Sequence, residues 1–313
     1  MEKKILHITN GNHLTDYLRE LDFTEDILTW QEMLCEGPTI PAINSDAFFE
    51  LRADFLKSNY DIEVNTDELK SELSKLDTIE NYTEINLWFE YDLFCHINLL
   101  GVINLLHQKE IDKPLYLICS GRVEGEKQLK ALGELNADQL KSHYKDKVLL
   151  TQEDIDLAIA LWRTYCGTDH NILKPYIVTT SNFKYMSNCL KAHLKRFPHQ
   201  QSGLNVLEDN ILRLLRDYPI KSRHHLLGYS LNYQGYYGFG DLQLQRIIDK
   251  LSLFFDETDN ELKLNRKGHE ALLRHHNFKS EINNDMVYGG VTRLNYQFNV
   301  EQNKLIKTTL HVN

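Results

Sequence analysis

The chain has 313 residues, 42% hydrophobic and 26% charged, with a net charge of −10. That length is enough for two or three domains with their own cores, and the acidic balance argues against strong non-specific nucleic-acid binding. No apolar run approaches the ~18 residues of a membrane span, and Met1-Glu2-Lys3-Lys4-Ile5 leads straight into a strand pattern rather than a secretory leader. Cysteines at 35, 95, 119, 166 and 189 are odd in number, scattered and without a Cys-x-x-Cys pair. They suit a reducing compartment, so a cytoplasmic protein is expected.

In chain order, four short apolar runs each end in polar residues. Ile5-Leu6-His7-Ile8-Thr9 meets Asn10-Gly11-Asn12, and Ile27-Leu28-Thr29-Trp30 meets Gln31-Glu32. Ile85-Asn86-Leu87-Trp88-Phe89 meets Glu90-Tyr91-Asp92, and Leu115-Tyr116-Leu117-Ile118-Cys119 meets Ser120-Gly121. Helical spacing fills the gaps. Leu14 to Leu21, Asp46 to Tyr60 behind Ser45 or Asp46, Asp67 to Leu76 behind Asn65-Thr66, and Leu93 to Gln108 all read as helices, with Gly37-Pro38 as a turn. Alternating strands and helices over residues 1–122 predict an α/β domain, Rossmann-like, with a parallel sheet of about four strands.

Residues 123–200 read as mostly helical. Asn136 starts one helix, the capping-box pattern Thr151-Gln152-Glu153-Asp154 precedes Ile155 to Tyr165, and Phe183 to Arg196 stops at Pro198. Residues 201–313 predict a winged-helix-like domain. Its helices are Leu204 to Tyr218, Ser222 to about Leu231, and Leu242 to Leu251 behind Asp241 as N-cap. Leu253-Phe254-Phe255 and Glu261 to Leu264 are its short strands, and Asn265 leads a last helix. The tail alternates as a hairpin, Thr292 to Phe298 and Leu305 to Leu310.

Parallel strands put all four polar ends on one edge, where open α/β sheets bind ligands. Asn10, Gly11 and Asn12 then form a strand-to-helix turn suited to an anion, or merely a capped tight turn. Glu32 and Glu90, with Glu36 and Asp92 nearby, are candidates for acid–base work or for a divalent cation; oxygen ligands favour Mg²⁺ or Mn²⁺ over zinc. Asp92 also reads as a helix cap. His7, inside its strand, is either a core histidine or a catalytic one. Arg52 lies among Phe48, Phe49 and Phe55 and either turns inward to a carboxylate or phosphate or lies on the surface. Ser120 offers a hydroxyl, without a nucleophile-elbow motif around it. Trp30, Trp88 and Trp162 read as core, and His224-His225 and His275-His276 as surface pairs. Gln243, Gln245 and Arg246 would lie on the third helix of the winged-helix-like part, beside an acidic wing.

The segments His7-Ile8-Thr9-Asn10-Gly11-Asn12, Trp30-Gln31-Glu32-Met33-Leu34-Cys35-Glu36-Gly37-Pro38 and Leu87-Trp88-Phe89-Glu90-Tyr91-Asp92 resemble an uncharacterised bacterial family whose N-terminal domain is of unknown function. Leu132-Gly133-Glu134-Leu135, Ala160-Leu161-Trp162-Arg163 and Arg196-Phe197-Pro198 are similar to its middle region. The resemblance implies a layout and no reaction. The family motif usually reads His-x-x-Asn-Gly-Asp; Asn12 here removes any carboxylate role at that position.

The expectation is an intracellular protein that binds or processes a phosphate-bearing small molecule or nucleotide at the sheet's carboxyl edge. The alternative is a ligand-sensing transcription regulator whose winged helix binds DNA; nucleic acid is the less favoured partner. Whether the chain is an enzyme, and how it assembles, stays open.

Overall fold

The computed structural model describes residues 4–23 and 25–308. Strand β1 (Lys4–Asn10) ends at Gly11, whose φ of 93° turns the chain into α1 (Asn12–Glu20). Strand β2 (Asp26–Trp30) and a two-residue strand β3 (Gly37–Pro38) follow. Helix α2 (Asp46–Tyr60) begins where Ser45 accepts the Phe48 amide, and α3 (Thr66–Leu73) where Asn65 accepts those of Asp67 and Glu68. Next come β4 (Tyr82–Phe89), α4 (Leu93–Gln108), β5 (Leu115–Cys119), α5 (Ala137–Lys145) and β6 (Val148–Leu149).

These strands make one sheet in the order β2-β1-β4-β5-β6. The first four are parallel, with Ile8 beside both Leu28 and Leu87, and Phe89 beside Cys119. The chain moves outward from β1 to β2 and then crosses back to β4 on the other side of β1. The carboxyl ends of β1 and β4 therefore part at a change of winding direction, the place where α/β sheets leave a crevice. The sequence pattern gave four strands; β6 adds an antiparallel fifth, too short to show a period. At the opposite edge, side chains satisfy β2. Glu72 accepts the Thr29 amide at 2.8 Å and Lys75 donates to the Ile27 carbonyl at 2.7 Å, which blunts the exposed strand.

Helix α4 is the centre of the core. Its residues from Cys95 to Leu106 are all buried, so it is covered on every side rather than along one stripe. Each of its buried leucines contributes roughly 1.5–3 kcal/mol. The few polar residues it carries, among them His96, Asn98 and Asn104, are buried too.

The rest of the chain packs around this unit. Helix α6 (Gln152–Tyr165), held by the Thr151–Asp154 capping box, and α7 (Met186–Lys195) lie against α4. Then follow α8 (Val206–Asp217), α9 (Arg223–Tyr233), α10 (Asp241–Lys250), the hairpin β7 (Phe255–Thr258) and β8 (Glu261–Leu264), α11 (Arg266–Leu272) and α12 (Lys279–Ile282). Strands β9 (Val287–Gly289), β10 (Val291–Thr292), β11 (Tyr296–Asn299) and β12 (Lys304–Lys307) finish the described chain.

Several expectations shift here. Gly240, not Asp241, is the N-cap of α10. Leu253 and Phe254 belong to a 3-10 turn, and the strand begins at Phe255 and runs through Asp256 and Glu257, acidic residues between the two expected strands. Asp256, Glu257 and Thr258 pair with Lys263, Leu262 and Glu261, a two-stranded ribbon exposed enough to tolerate charge. Gly37-Pro38 is a strand because it runs parallel to β9, some 250 residues later, with Gly37 beside Tyr288. The tail hairpin forms between β11 and β12; Thr309 and Leu310, expected to extend it, lie outside the described residues. Among the described residues, no helix is long and apolar enough to cross a membrane.

Candidate functional site

The turn Glu90-Tyr91-Asp92 carries β4 into α4. Asp92 is the N-cap: its Oδ1 accepts the Cys95 amide at 2.8 Å. The next two amides of α4, Leu93 and Phe94, donate to the carbonyls of Tyr236 and Tyr237 at 2.8 and 3.1 Å. Those carbonyls come from the loop between α9 and α10, so the C-terminal part of the chain seals this helix end. Gly238 there has a φ of 67° and lies so close that a Cβ would sit 2.0 Å from the Asp92 carboxyl carbon.

Glu90 accepts the Leu132 amide at 2.8 Å through Oε1, and its Oε2 lies 3.9 Å from Cys95 Sγ. Asn10 donates to the same sulfur from Nδ2 at 3.1 Å. Asn98 fixes the orientation of Asn10 by donating to its Oδ1 at 2.8 Å; Asn98 also donates to the Glu32 carbonyl at 2.6 Å and accepts the Leu34 amide at 3.0 Å. One donor atom from each of Glu90, Asp92 and Cys95 lies within 4.8 Å of the others. Burial and the neighbouring Asp92 carboxylate push Glu90 well above the usual carboxylate range. Burial does the same to Asp92, and it pushes the Cys95 thiol upward.

Glu32 is placed differently. Strand β1 lies between β2 and β4, so Glu32 and Glu90 do not sit on adjacent strand ends, and Asn10 and Asn98 bridge the space. The Glu32 carboxylate faces Arg52 instead, at 2.9 Å, with side chains only 4% and 2% exposed. Arg52 also donates to the carbonyls of Met33, Glu36 and Pro38 at 3.2, 2.8 and 3.1 Å. Arg52 thus folds the segment after β2 around itself. Glu36, 1% exposed, pairs with Arg246 at 2.8 Å and accepts the Tyr60 hydroxyl. Arg246 also meets Tyr60 Oη at 3.1 Å, and Gln243 reaches Met33 Sδ at 3.5 Å. Two of the three polar side chains of α10 singled out in the sequence, Gln243 and Arg246, are turned inward to the segment after β2 and to the end of α2. Gln245 bonds to Asp249 on the helix surface.

His7 and Ser120 complete the expected set. His7 lies on the face of the sheet lined by Trp88, three positions before the end of β1. Trp88 Nε1 donates to its Nδ1 at 3.0 Å, Phe23 and Tyr144 enclose its ring, and burial lowers it to about 4. It is packed as a neutral core residue, apart from Glu90 and Asp92. Ser120, at the end of β5, is 1% exposed, and its Oγ has no hydrogen-bond partner.

Beside these groups a cleft of about 770 Å³ opens at the carboxyl end of β2. Asn12, Gln31 and Glu32 line one side; Leu56, Val64 and Phe94 give it apolar walls. Gln31 Nε2 donates to Asn12 Oδ1 at 2.7 Å. Helix α1 begins here without a side-chain cap and without an acidic residue in its first turn.

Sequence reasoning missed Cys95, Asn98 and Gly238. A signal existed for Asn98, because an amide inside the apolar run of Leu93 to Leu106 needs a buried partner. Nothing in the sequence linked Gly238 to Asp92.

Comparison with known protein families returns no match, and neither does comparison with curated proteins. Among solved structures, the chain is similar to the crystal structure of the Plasmodium falciparum topoisomerase II DNA-binding, cleavage and re-ligation domain, with a TM-score of 0.45 at 14% identity. The match covers 82% of this chain and 43% of that one, so the chain spans under half of that neighbour's length. Likeness of that degree assigns neither fold family nor function.

Proposed function

We propose that the chain binds a phosphate-bearing small molecule or nucleotide at the carboxyl edge of the N-terminal sheet. In this reading the sheet is Rossmann-like, and α8 to α10 with the β7–β8 hairpin are a winged-helix-like unit packed behind it. The observation that carries it is the uncapped start of α1, which follows a left-handed glycine and opens onto the 770 Å³ cleft. Free amides at a helix N-terminus, with the helix dipole behind them, favour an anion. Asn12 keeps that turn free of negative charge. The body of the ligand lies against Leu56, Val64 and Phe94. DNA reading by α10 has less support, because Arg246 and Gln243 are occupied by Glu36, Tyr60 and Met33.

Thermal unfolding of the full chain with inorganic phosphate, AMP or ATP tests the reading. A ligand present at 100 times its Kd stabilises by about 2.7 kcal/mol. At least one of the three should raise Tm, and Asn12→Asp should remove the rise by placing a carboxylate at the anion position. No shift with any of them at millimolar concentration, or an equal shift in Asn12→Asp, refutes the proposal.

A further inference from the structure

The geometry points to a binding site for a single zinc-class divalent cation at Glu90, Asp92 and Cys95, with Ser120 next to Glu90. Four observations meet there. First, the three donor atoms lie within 4.8 Å of one another. A cation equidistant from them sits within about 2.8 Å of each, and small side-chain rotations bring that to the ~2.0–2.3 Å bonds of zinc. Second, a buried carboxylate, Asp92, and a half-buried one, Glu90, lie side by side, yet among the described residues no Lys, Arg or His side chain forms an ion pair with either. Arg52 and Arg246 are taken by Glu32 and Glu36. Adjacent buried carboxylates need a proton or a cation between them.

Third, Ser120 Oγ is a buried hydroxyl without a hydrogen-bond partner, and its residue stands beside Glu90. Phe89 pairs with Cys119 across β4 and β5, so Glu90 and Ser120 are the next residues on neighbouring strands. Trp88 and Ile118, two positions back, share one apolar cluster with Leu132. Alternation along parallel strands puts Glu90 and Ser120 on that same face. A buried hydroxyl without a partner is costly unless something completes it. Fourth, Asn10 is held by Asn98 so that its amide N–H points at Cys95 Sγ. A metal-bound thiolate takes such a bond from outside its ligand shell.

The sulfur decides the class of ion. The expectation of Mg²⁺ rested on oxygen ligands alone, whereas a thiolate selects zinc-like cations. Binding displaces the Cys95 thiol proton to solvent. The site lies apart from the anion position on α1 and stands whether or not phosphate binds.

The test uses the full chain after chelator treatment, titrated with Zn²⁺ alone and with Co²⁺ alone. One equivalent should bind, unaffected by millimolar Mg²⁺, and Co²⁺ should give a sulfur-to-cobalt charge-transfer band. Cys95→Ser should lose the band, Glu90→Gln should weaken binding at least tenfold, and Ser120→Ala, the mildest change, should weaken it several-fold with the fold intact. No stoichiometric uptake by the native chain, uptake without the sulfur band, or a band unchanged in Cys95→Ser overturns the assignment. Uptake by the exposed histidines falls under the second of these outcomes.

Discussion

Replacing Arg246 by Met measures how firmly α10 is fixed to the segment that follows β2. The substitution keeps most of the aliphatic stem and removes the guanidinium, which contacts Glu36, Tyr60 and Asn284. Glu36 is 1% exposed, so the loss strands a buried carboxylate that keeps only the Tyr60 hydroxyl and no cation. Removing one partner of a buried pair costs about 3–5 kcal/mol. Arg246 is 16% exposed, which places the expected value near ~3 kcal/mol. Unfolding entropy for a chain of 313 residues is roughly 0.66 kcal/mol per kelvin, so Tm should fall by roughly 4–5 °C. Urea unfolding monitored by circular dichroism supplies the stability change. The double variant Glu36→Gln with Arg246→Met should recover part of the loss, because the orphaned charge is gone. A loss below about 1 kcal/mol for Arg246→Met, the range of an exposed pair, would show that Arg246 is free to face other partners and that α10 is not committed inward.

Three further outcomes follow from the geometry. His7 is buried neutral with its pKa lowered to about 4, below the unfolded value of about 6.5, so the unfolded chain binds the extra proton first. Stability should be lost progressively as pH falls from about 6.5 towards 4, by up to ~3 kcal/mol from this residue; urea midpoints for native and His7→Gln should converge over that window, and parallel curves would refute the assignment. Asn98→Leu leaves the Leu34 amide, the Glu32 carbonyl and Asn10 Oδ1 without their buried partner and should cost about 3 kcal/mol by chemical denaturation; a loss under 1 kcal/mol would mean the amide relay is dispensable. Gly238→Ala combines a left-handed backbone with a Cβ placed on the Asp92 carboxyl group and should cost at least about 2 kcal/mol, with raised hydrogen exchange at the Leu93 and Phe94 amides; an unchanged Tm would contradict the close approach.

What the sequence discloses follows the range of the interactions involved. The bounds of α2 and α4 are legible because Ser45 and Asp92 cap them from within the same short segment. The four parallel strands are legible because each is a compact apolar run. Glu90 and Asp92 are legible as a pair because one turn holds both. Arg246 is not, because its partner Glu36 stands 210 positions away and local charge reads the residue as outward-facing. Cys95 is overlooked because a lone cysteine on an apolar helix looks like filler until Asn10, 85 positions distant, is seen to donate to it. Strand β3 is hidden because two residues show no period, and Gly-Pro is the composition of a turn.

The ladder between Gly37-Pro38 and Val287-Gly289 bears on how this molecule can be divided. Cutting at residue 122 or 200 would separate the two halves of that ladder, strip Glu36 of Arg246 and unroof Asp92 at once. Fragments ending at those points are expected to be insoluble or unfolded. Gene fusions that exchange one third of the chain for a foreign segment should fail for the same reason, so the three regions are obliged to travel together as one inheritable unit.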